Sequence, residues 1–281
     1  MKICFQHMTY IYQSPFFTPH EALTDISIHI DFPELIAVTG ASGSGKTTLI
    51  QHFNGLLVPA SGQVTINGMD INARETDINK IRQDIGLVYQ FPENQFFEET
   101  VYKEVAFGPR NQALSDREVD TRVRDSLKQV NLDFERFSKK SPFLLSGGEK
   151  RKVAIASILA MEPRVLILDE PTVGLDKRNA DQIERIMSNY YNHGRTVIFI
   201  SHDMDLVARL AKRILLLKSG RLLFDGSPDA LFGNHEILED AGLRLPRVTQ
   251  VMLNLKKTGY PVRTDVYTLE AAETEVKRVF T

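Results

Sequence analysis

The chain has 281 residues, 42% hydrophobic and 25% charged, with a formal net charge of −2. That is ordinary for a globular protein and long enough for one large domain and one small one. Interspersed acids and bases argue against a nucleic-acid binder, no apolar run approaches the roughly 18–20 residues that span a bilayer, and the lone Cys4 excludes an intrachain disulfide, which suits a reducing cytoplasm.

Met1 to His7 lacks a signal-peptide apolar region, and the seven histidines show no metal-ligand spacing. Ile3-Cys4-Phe5, Met8 to Tyr12 and Ile26 to Ile30 predict a β-rich N-terminal edge. Gln13 to Pro19, with two prolines, predicts a loop. Leu35 to Thr39 is short, apolar and β-branched, the pattern of a buried strand, and Thr48 to Phe53 reads as a helix. Gly62 to Gly68 predicts a strand ended by an Asn-Gly turn, and Ile85 to Gln90 a further strand.

From Phe91 to about Ala160 the pattern turns helical. Ser115-Asp116-Arg117-Glu118 is a capping box ahead of Val119, Val123, Leu127 and Val130 on one face. Val165 to Leu168 is continuously apolar, as strands buried on both faces are, and Val197 to Ile200 reads as a further buried strand. Between them Ile183, Ile186, Met187 and Tyr190 have helical spacing, and Lys218-Ser219-Gly220-Arg221 suits a hairpin turn. Alternating strands and helices predict an α/β fold with a mixed, mostly parallel sheet. In the tail, Ser227-Pro228 starts a short helix, Pro246 opens a second with Val248, Val251, Met252 and Leu255 on one stripe, and a third carries Leu269, Ala272, Val276, Val279 and Phe280.

Gly40-Ala41-Ser42-Gly43-Ser44-Gly45-Lys46-Thr47, between a strand and a helix that starts about Thr48, fits G-x-x-x-x-G-K-[ST]. Its glycines let successive N–H groups face a polyphosphate, and the helix N-terminus adds partial positive charge. Lys46 is expected on the β- and γ-phosphates of ATP and Thr47 on Mg²⁺. Asp169 and Glu170 end an apolar strand, where α/β sheets bind ligands. Asp169 is expected to hold Mg²⁺ through water, and Glu170 to act as general base toward the attacking water. Gln90, at another strand end, suits Mg²⁺ or the water, and His202 suits the γ-phosphate. Tyr12 is the candidate to stack on adenine, with Tyr10, Phe16 and Phe17 as alternatives. Ser146, Gly147 and Gly148 offer a hydroxyl and bare N–H groups at a second helix start. Two phosphate-binding ends for one nucleotide are resolved by two chains packed head to tail; a plain N-cap at Ser146 is the alternative.

These pieces, in this order, resemble the ATP-binding cassette family over residues 1 to about 226. Gly40 to Thr47 is similar to its Walker A motif, Gln90 to its Q-loop, Leu145 to Glu149 to its signature and Val165 to Glu170 to its Walker B motif. Gly174-Leu175-Asp176 resembles its D-loop, which implies a nucleotide contact for Asp176, and His202 its switch histidine. Gln90 to Val101, followed by Glu104 to Pro109, resembles the ATPases of energy-coupling factor transporters, importers of vitamins and trace metals. Tyr10 to Phe16, Ala160-Met161-Glu162-Pro163 and the tail resemble the second of that family's two ATPases.

The resemblance implies a P-loop NTPase cassette at residues 1–226, with an N-terminal β-subdomain, a helical signature subdomain at about 91–160, and a small α+β C-terminal domain at 227–281 for dimer contact. It implies a heterodimer with a sister ATPase, docked on a membrane T component near Phe91 to Glu99, which carries a substrate-binding S component. Glu93, Glu98 and Glu99, beside Phe96 and Phe97, are the expected contacts there. The chain would sit peripherally on the cytoplasmic face of the cell membrane and bind no nucleic acid. The alternative is a soluble cassette ATPase not coupled to transport. Glu149 departs from the family's usual Gln.

Overall fold

The computed structural model describes residues 1–14 and 17–280. β1 (Lys2–Ser14) and β2 (Phe17–Asp31) form a long antiparallel hairpin, so the expected loop from Gln13 to Pro19 is mostly strand. β2 is an edge strand, where the missing N–H of Pro19 breaks no interior ladder. Pro15 and Phe16, part of that expected loop, lie outside the described residues, as do the side chains of Phe17 and Glu93. β4 (Ser61–Ile66) pairs with β1, and β5 (Met69–Asp70) with β4. Asn67 and Gly68 join them with φ of 52° and 80°, the left-handed pair that a tight hairpin turn needs.

The second sheet runs β10 (Arg221–Gly226), β9 (Arg213–Lys218), β3 (Leu35–Thr39), β8 (Thr196–Ile200), β7 (Val165–Asp169), β6 (Ile85–Val88). Its pairs are parallel except β9–β10. β3, β7 and β8 are buried at every residue. Ile36 and Val38 of β3, with Val165 and Ile167 of β7, pack toward the small sheet and α1 (Lys46–Phe53). Leu35, Ala37, Leu166 and Leu168 pack with the helices. The alternation of side chains along a strand thus feeds two cores, giving three layers: small sheet, large sheet, helices. Phe199 on β8 is fully buried, and its truncation to Ala would cost about 3–5 kcal/mol.

α2 (Ile78–Asp84) packs on the small-sheet side, with Ile81 in that core, and the helical layer contains α3 (Val101–Arg110), α4 (Asp116–Gln129), α5 (Phe134–Phe137), α6 (Gly147–Leu159), α7 (Lys177–Asn192) and α8 (Met204–Leu210). The Ser115–Glu118 capping box forms, and Val119, Val123, Leu127 and Val130 are buried. Gly86 lets α6 lie against β6, since a Cβ there would meet Ile158 Cγ2 at 2.4 Å.

The tail departs from the α+β expectation. Its described residues form α9 (Pro228–Phe232), α10 (His235–Asp240), α11 (Arg247–Lys257) and α12 (Leu269–Phe280), without a strand. Side chains of α11 and α12 bond to the segment between them. Thr249 Oγ1 donates to Val266 O at 2.7 Å, Arg263 N donates to Glu275 Oε1 at 2.7 Å, and Val262 and Val266 are buried. Leu231, Phe232, Leu238 and Ala241 join the helical-layer core, whereas Met252, Val262, Val266 and Ala272 form a small core of their own. No helix among the described residues is long and apolar enough to cross a membrane.

Candidate active site

The cleft lies at the carboxyl ends of β3, β6, β7 and β8, where a parallel sheet collects its loops. Gly40, Gly43 and Gly45 have φ of 145°, 77° and 101°, so the loop after β3 needs its glycines. At Gly40 a Cβ would also stand 2.2 Å from the Leu217 carbonyl oxygen. α1 starts at Lys46 with no side-chain cap, which leaves its first N–H groups available to an anion.

Lys46 Nζ donates to Gly40 O and Ala41 O, each at 2.8 Å. Burial pushes this ammonium below its ordinary value, against the pull of Glu170 and Asp169. A partly desolvated cation held by two carbonyl oxygens is suited to phosphate. Thr47 Oγ1 donates to Asp169 Oδ2 at 3.0 Å. Burial pushes the Asp169 carboxyl up, and the neighbouring Glu170 adds to this, while Thr47 and Lys46 oppose it. His202 Nδ1 lies 2.7 Å from Glu170 Oε1, and Glu170 Oε2 is buried with no partner among the described residues.

The cleft encloses about 1300 Å³ and is lined by Tyr12, every residue from Gly40 to Thr48, Gln90, Asp169, Glu170 and His202. Tyr12 is 41% exposed, and its hydroxyl is 3.1 Å from Thr48 Oγ1, which fixes the ring beside the phosphate loop. Tyr10 stands edge-on to Tyr12 and does not line the cleft. Phe16 and the side chain of Phe17, the other adenine alternatives, lie outside the described residues.

Thr47, Asp169 and Gln90 offer oxygen donors of the kind Mg²⁺ takes. No group of three or more His, Cys, Asp or Glu is arranged to hold a metal among the described residues. Such a site fits an ion held by a carboxylate together with substrate phosphates better than one in an all-protein cage.

Ser146, Gly147, Gly148 and Asp176 do not line this cleft. They meet elsewhere, at the starts of α6 and α7. Ser146 and Glu149 form a reciprocal capping box. Asp176 accepts from Asn179 N and Nδ2 at 2.8 and 3.0 Å, and a Cβ on Gly148 would meet that same amide at 2.6 Å. The capping pattern S-x-x-E was present in Ser146-Gly147-Gly148-Glu149 and explains Glu149 locally.

The segment after Gln90 differs in one detail. Phe96 is buried in the helical core, and Phe97 instead stands edge-on to Phe107 at 4.8 Å, with Phe91, Phe97 and Phe107 exposed. Phe107 projects outward from α3 and replaces Phe96 on that surface. Glu99 is paired with Lys103 at 2.7 Å. His20, Asp203, Asp205 and the tail residues Gly242 to Leu245, Arg247 and Gln250 also line the cleft. Local pattern carried no signal for these tail residues, because chain folding alone brings them there.

A protein-family model described as ABC transporter matches residues 23–173. The energy-coupling factor transporter ATP-binding protein EcfA2 of Clostridium tetani is 44% identical over 283 residues, covering 100% of this chain and 98% of that protein. The protein of the same description from Symbiobacterium thermophilum is 44% identical over 281 residues, covering 99% and 96%. Among solved structures, cbiO1 of Clostridium perfringens, described as part of the ABC transporter complex cbiONQ, has a TM-score of 0.74 at 36% identity, covering 89% of this chain and 98% of that one. A dimeric ATP-binding cassette in a post-hydrolysis state with ADP and Pi has a TM-score of 0.73 at 29% identity, covering 80% and 98%. The chain belongs to the ABC transporter family, among the ATP-binding proteins of energy-coupling factor transporters.

Proposed function

We propose that this chain is the ATP-hydrolysing motor of an energy-coupling factor importer for vitamins or other micronutrients. The observation that carries the hydrolytic reading is Glu170. One carboxylate oxygen is fixed by His202, and the other is a buried acceptor without a partner among the described residues, in a cleft that also holds Lys46 and the Thr47–Asp169 pair. Bound ATP with Mg²⁺ supplies the phosphoanhydride to be cleaved. Lys46 and the loop N–H groups hold its phosphates, Thr47, Asp169 and Gln90 hold the ion, Glu170 takes the proton of the attacking water, and His202 keeps Glu170 oriented. Tyr12 stacks on the base.

Ser146, Gly147, Gly148 and Asp176 serve the nucleotide of a sister ATPase packed head to tail. Their clustering at two helix starts, apart from this chain's own cleft, supports that reading. The exposed rings of Phe91, Phe97 and Phe107, with Glu98 beside them, suit the docking surface for a membrane T component. The S component is reached through it, and the chain is peripheral on the cytoplasmic face. The small core of Met252, Val262, Val266 and Ala272 supports a C-terminal dimer-contact unit that begins near Leu245 rather than at residue 227.

The test is purification of tagged protein from detergent-solubilised membranes, with mass spectrometry of what co-elutes. A second cassette ATPase and a polytopic membrane protein are expected. Recovery of active ATPase with no membrane partner would instead favour a soluble cassette.

A further inference from the structure

Glu170 and Phe91 share an uncommon backbone state. Both are non-glycine residues with left-handed φ, 46° and 54°. Such conformations persist only where the surroundings enforce them, and they concentrate at functional sites. One buried side chain touches both. Arg151, 2% exposed on α6, donates from Nη1 to Glu170 O and Pro171 O, each at 3.3 Å. Its guanidinium carbon also lies 5.7 Å from the centre of the Phe91 ring.

Glu170, Phe91 and Arg151 lie on different functional pieces. Glu170 directly follows β7 and carries the carboxylate that His202 holds. Phe91 directly follows Gln90 and is exposed on the surface read above as the docking face. Arg151 lies on the first turns of α6, the helix capped by Ser146. A planar guanidinium suits this junction, because its fork of donors reaches two adjacent carbonyls while its face meets an aromatic ring. Lysine offers a single ammonium and no flat face. The left-handed turn at Glu170 sends its side chain toward His202 and its carbonyl toward Arg151.

We infer that Arg151 is a positioning residue for hydrolysis: it fixes the peptide of Glu170, and so the aim of its carboxylate, according to where Phe91 stands. A partner that moves the Phe91 segment then changes the hydrolytic rate without touching the nucleotide. This rests on the reading of Glu170 as the general base.

The test compares Arg151→Lys, Phe91→Leu and Glu170→Gln in the full chain, within whatever complex it co-purifies with. Steady-state ATPase gives kcat and KM, and the ATP-induced shift in Tm reports nucleotide binding. Arg151→Lys is expected to lower kcat roughly ten- to a hundredfold, as a small misplacement of a catalytic group does, with the ATP-induced Tm shift retained. Phe91→Leu, at an exposed site, is expected to lower kcat less, again with binding intact. Wild-type kcat in Arg151→Lys would overturn the inference, as would parallel losses of kcat, ATP binding and ligand-free Tm, which mark a scaffold residue. Should Arg151→Lys fail to fold, Phe91→Leu decides: reduced kcat with intact binding supports the inference, and unchanged kcat overturns it. If Glu170→Gln turns over normally, the general-base reading itself has failed; if it stalls while Arg151→Lys is normal, only the role of Arg151 has.

Discussion

His202 Nδ1 and Glu170 Oε1 meet at 2.7 Å across the ends of two adjacent parallel strands. An ionised carboxylate only accepts, so Nδ1 is the donor when Glu170 acts as a base. Glu170 is 11% exposed at its side chain and His202 66%, so the base is sheltered and its orienter faces solvent. Glu170→Gln keeps the shape but cannot take a proton, and is expected to bind ATP while turnover falls roughly 10²- to 10⁴-fold. His202→Ala removes the orienting bond and is expected to lower kcat more than it raises KM. Single-turnover hydrolysis beside equilibrium ATP binding checks both, and normal turnover in Glu170→Gln would remove Glu170 as the base.

Lys46 spans the phosphate loop, bonded to the carbonyls of Gly40 and Ala41. Removing it takes away the one charged group inside the loop. Lys46→Ala is expected to weaken ATP binding by roughly a hundredfold or more, the scale for losing one member of a desolvated charge pair. Isothermal titration with ATP measures this, and unchanged affinity would refute the phosphate role.

Much of this site was legible because it is local. The run from Gly40 to Thr47 prescribes its own turn, and the apolar runs of β3, β7 and β8 read as buried strands because they are. What was illegible depends on distant contacts. Nothing near Gly242 to Arg247 says that these residues wall the cleft, since Asp205 draws them in by accepting from Arg247 N at 2.7 Å. Phe96 and Phe97 are neighbours with equal hydrophobicity, and only the packing of α3 decides which one is buried. The described tail is helical without a strand, and the segment between its last two helices is held by side chains from those helices, Thr249 and Glu275.

Tyr12 offers a ring to the base and a hydroxyl to Thr48. Tyr12→Phe keeps the ring and is expected to bind ATP nearly as the parent does. Tyr12→Ala loses the stacking face and is expected to bind roughly 5- to 100-fold more weakly, the range for one base on one aromatic. Tyr10→Ala should act less, because Tyr10 braces Tyr12 and His52 and does not line the cleft. Fluorescent-nucleotide competition ranks the three, and a larger loss in Tyr10→Ala would move the adenine contact off Tyr12.

Glu149 reaches back to accept from Ser146 N at 2.9 Å and Ser146 Oγ at 2.8 Å. The backbone N–H first, then the hydroxyl, hold its carboxyl below its ordinary value of 4.5. A carboxylate depressed on folding stabilises the fold fully above its unfolded value. That contribution is lost as pH falls below about 4.5 through the folded value. Glutamine at this position accepts the same two bonds, so Glu149→Gln should match the parent at pH 7 and lose less of its cap on acidification. Glu149→Ala should cost about 1 kcal/mol at pH 7, a fall in Tm of roughly 2–4 °C. Calorimetry at pH 7 and pH 4 on the three proteins separates these cases. Because Ser146 and Glu149 bond to each other, the alanine variant should also loosen the first turn of α6, on which Arg151 stands one turn from Gly148. A Tm of Glu149→Ala equal to the parent's at pH 7 would mean that the cap is geometry without stabilisation.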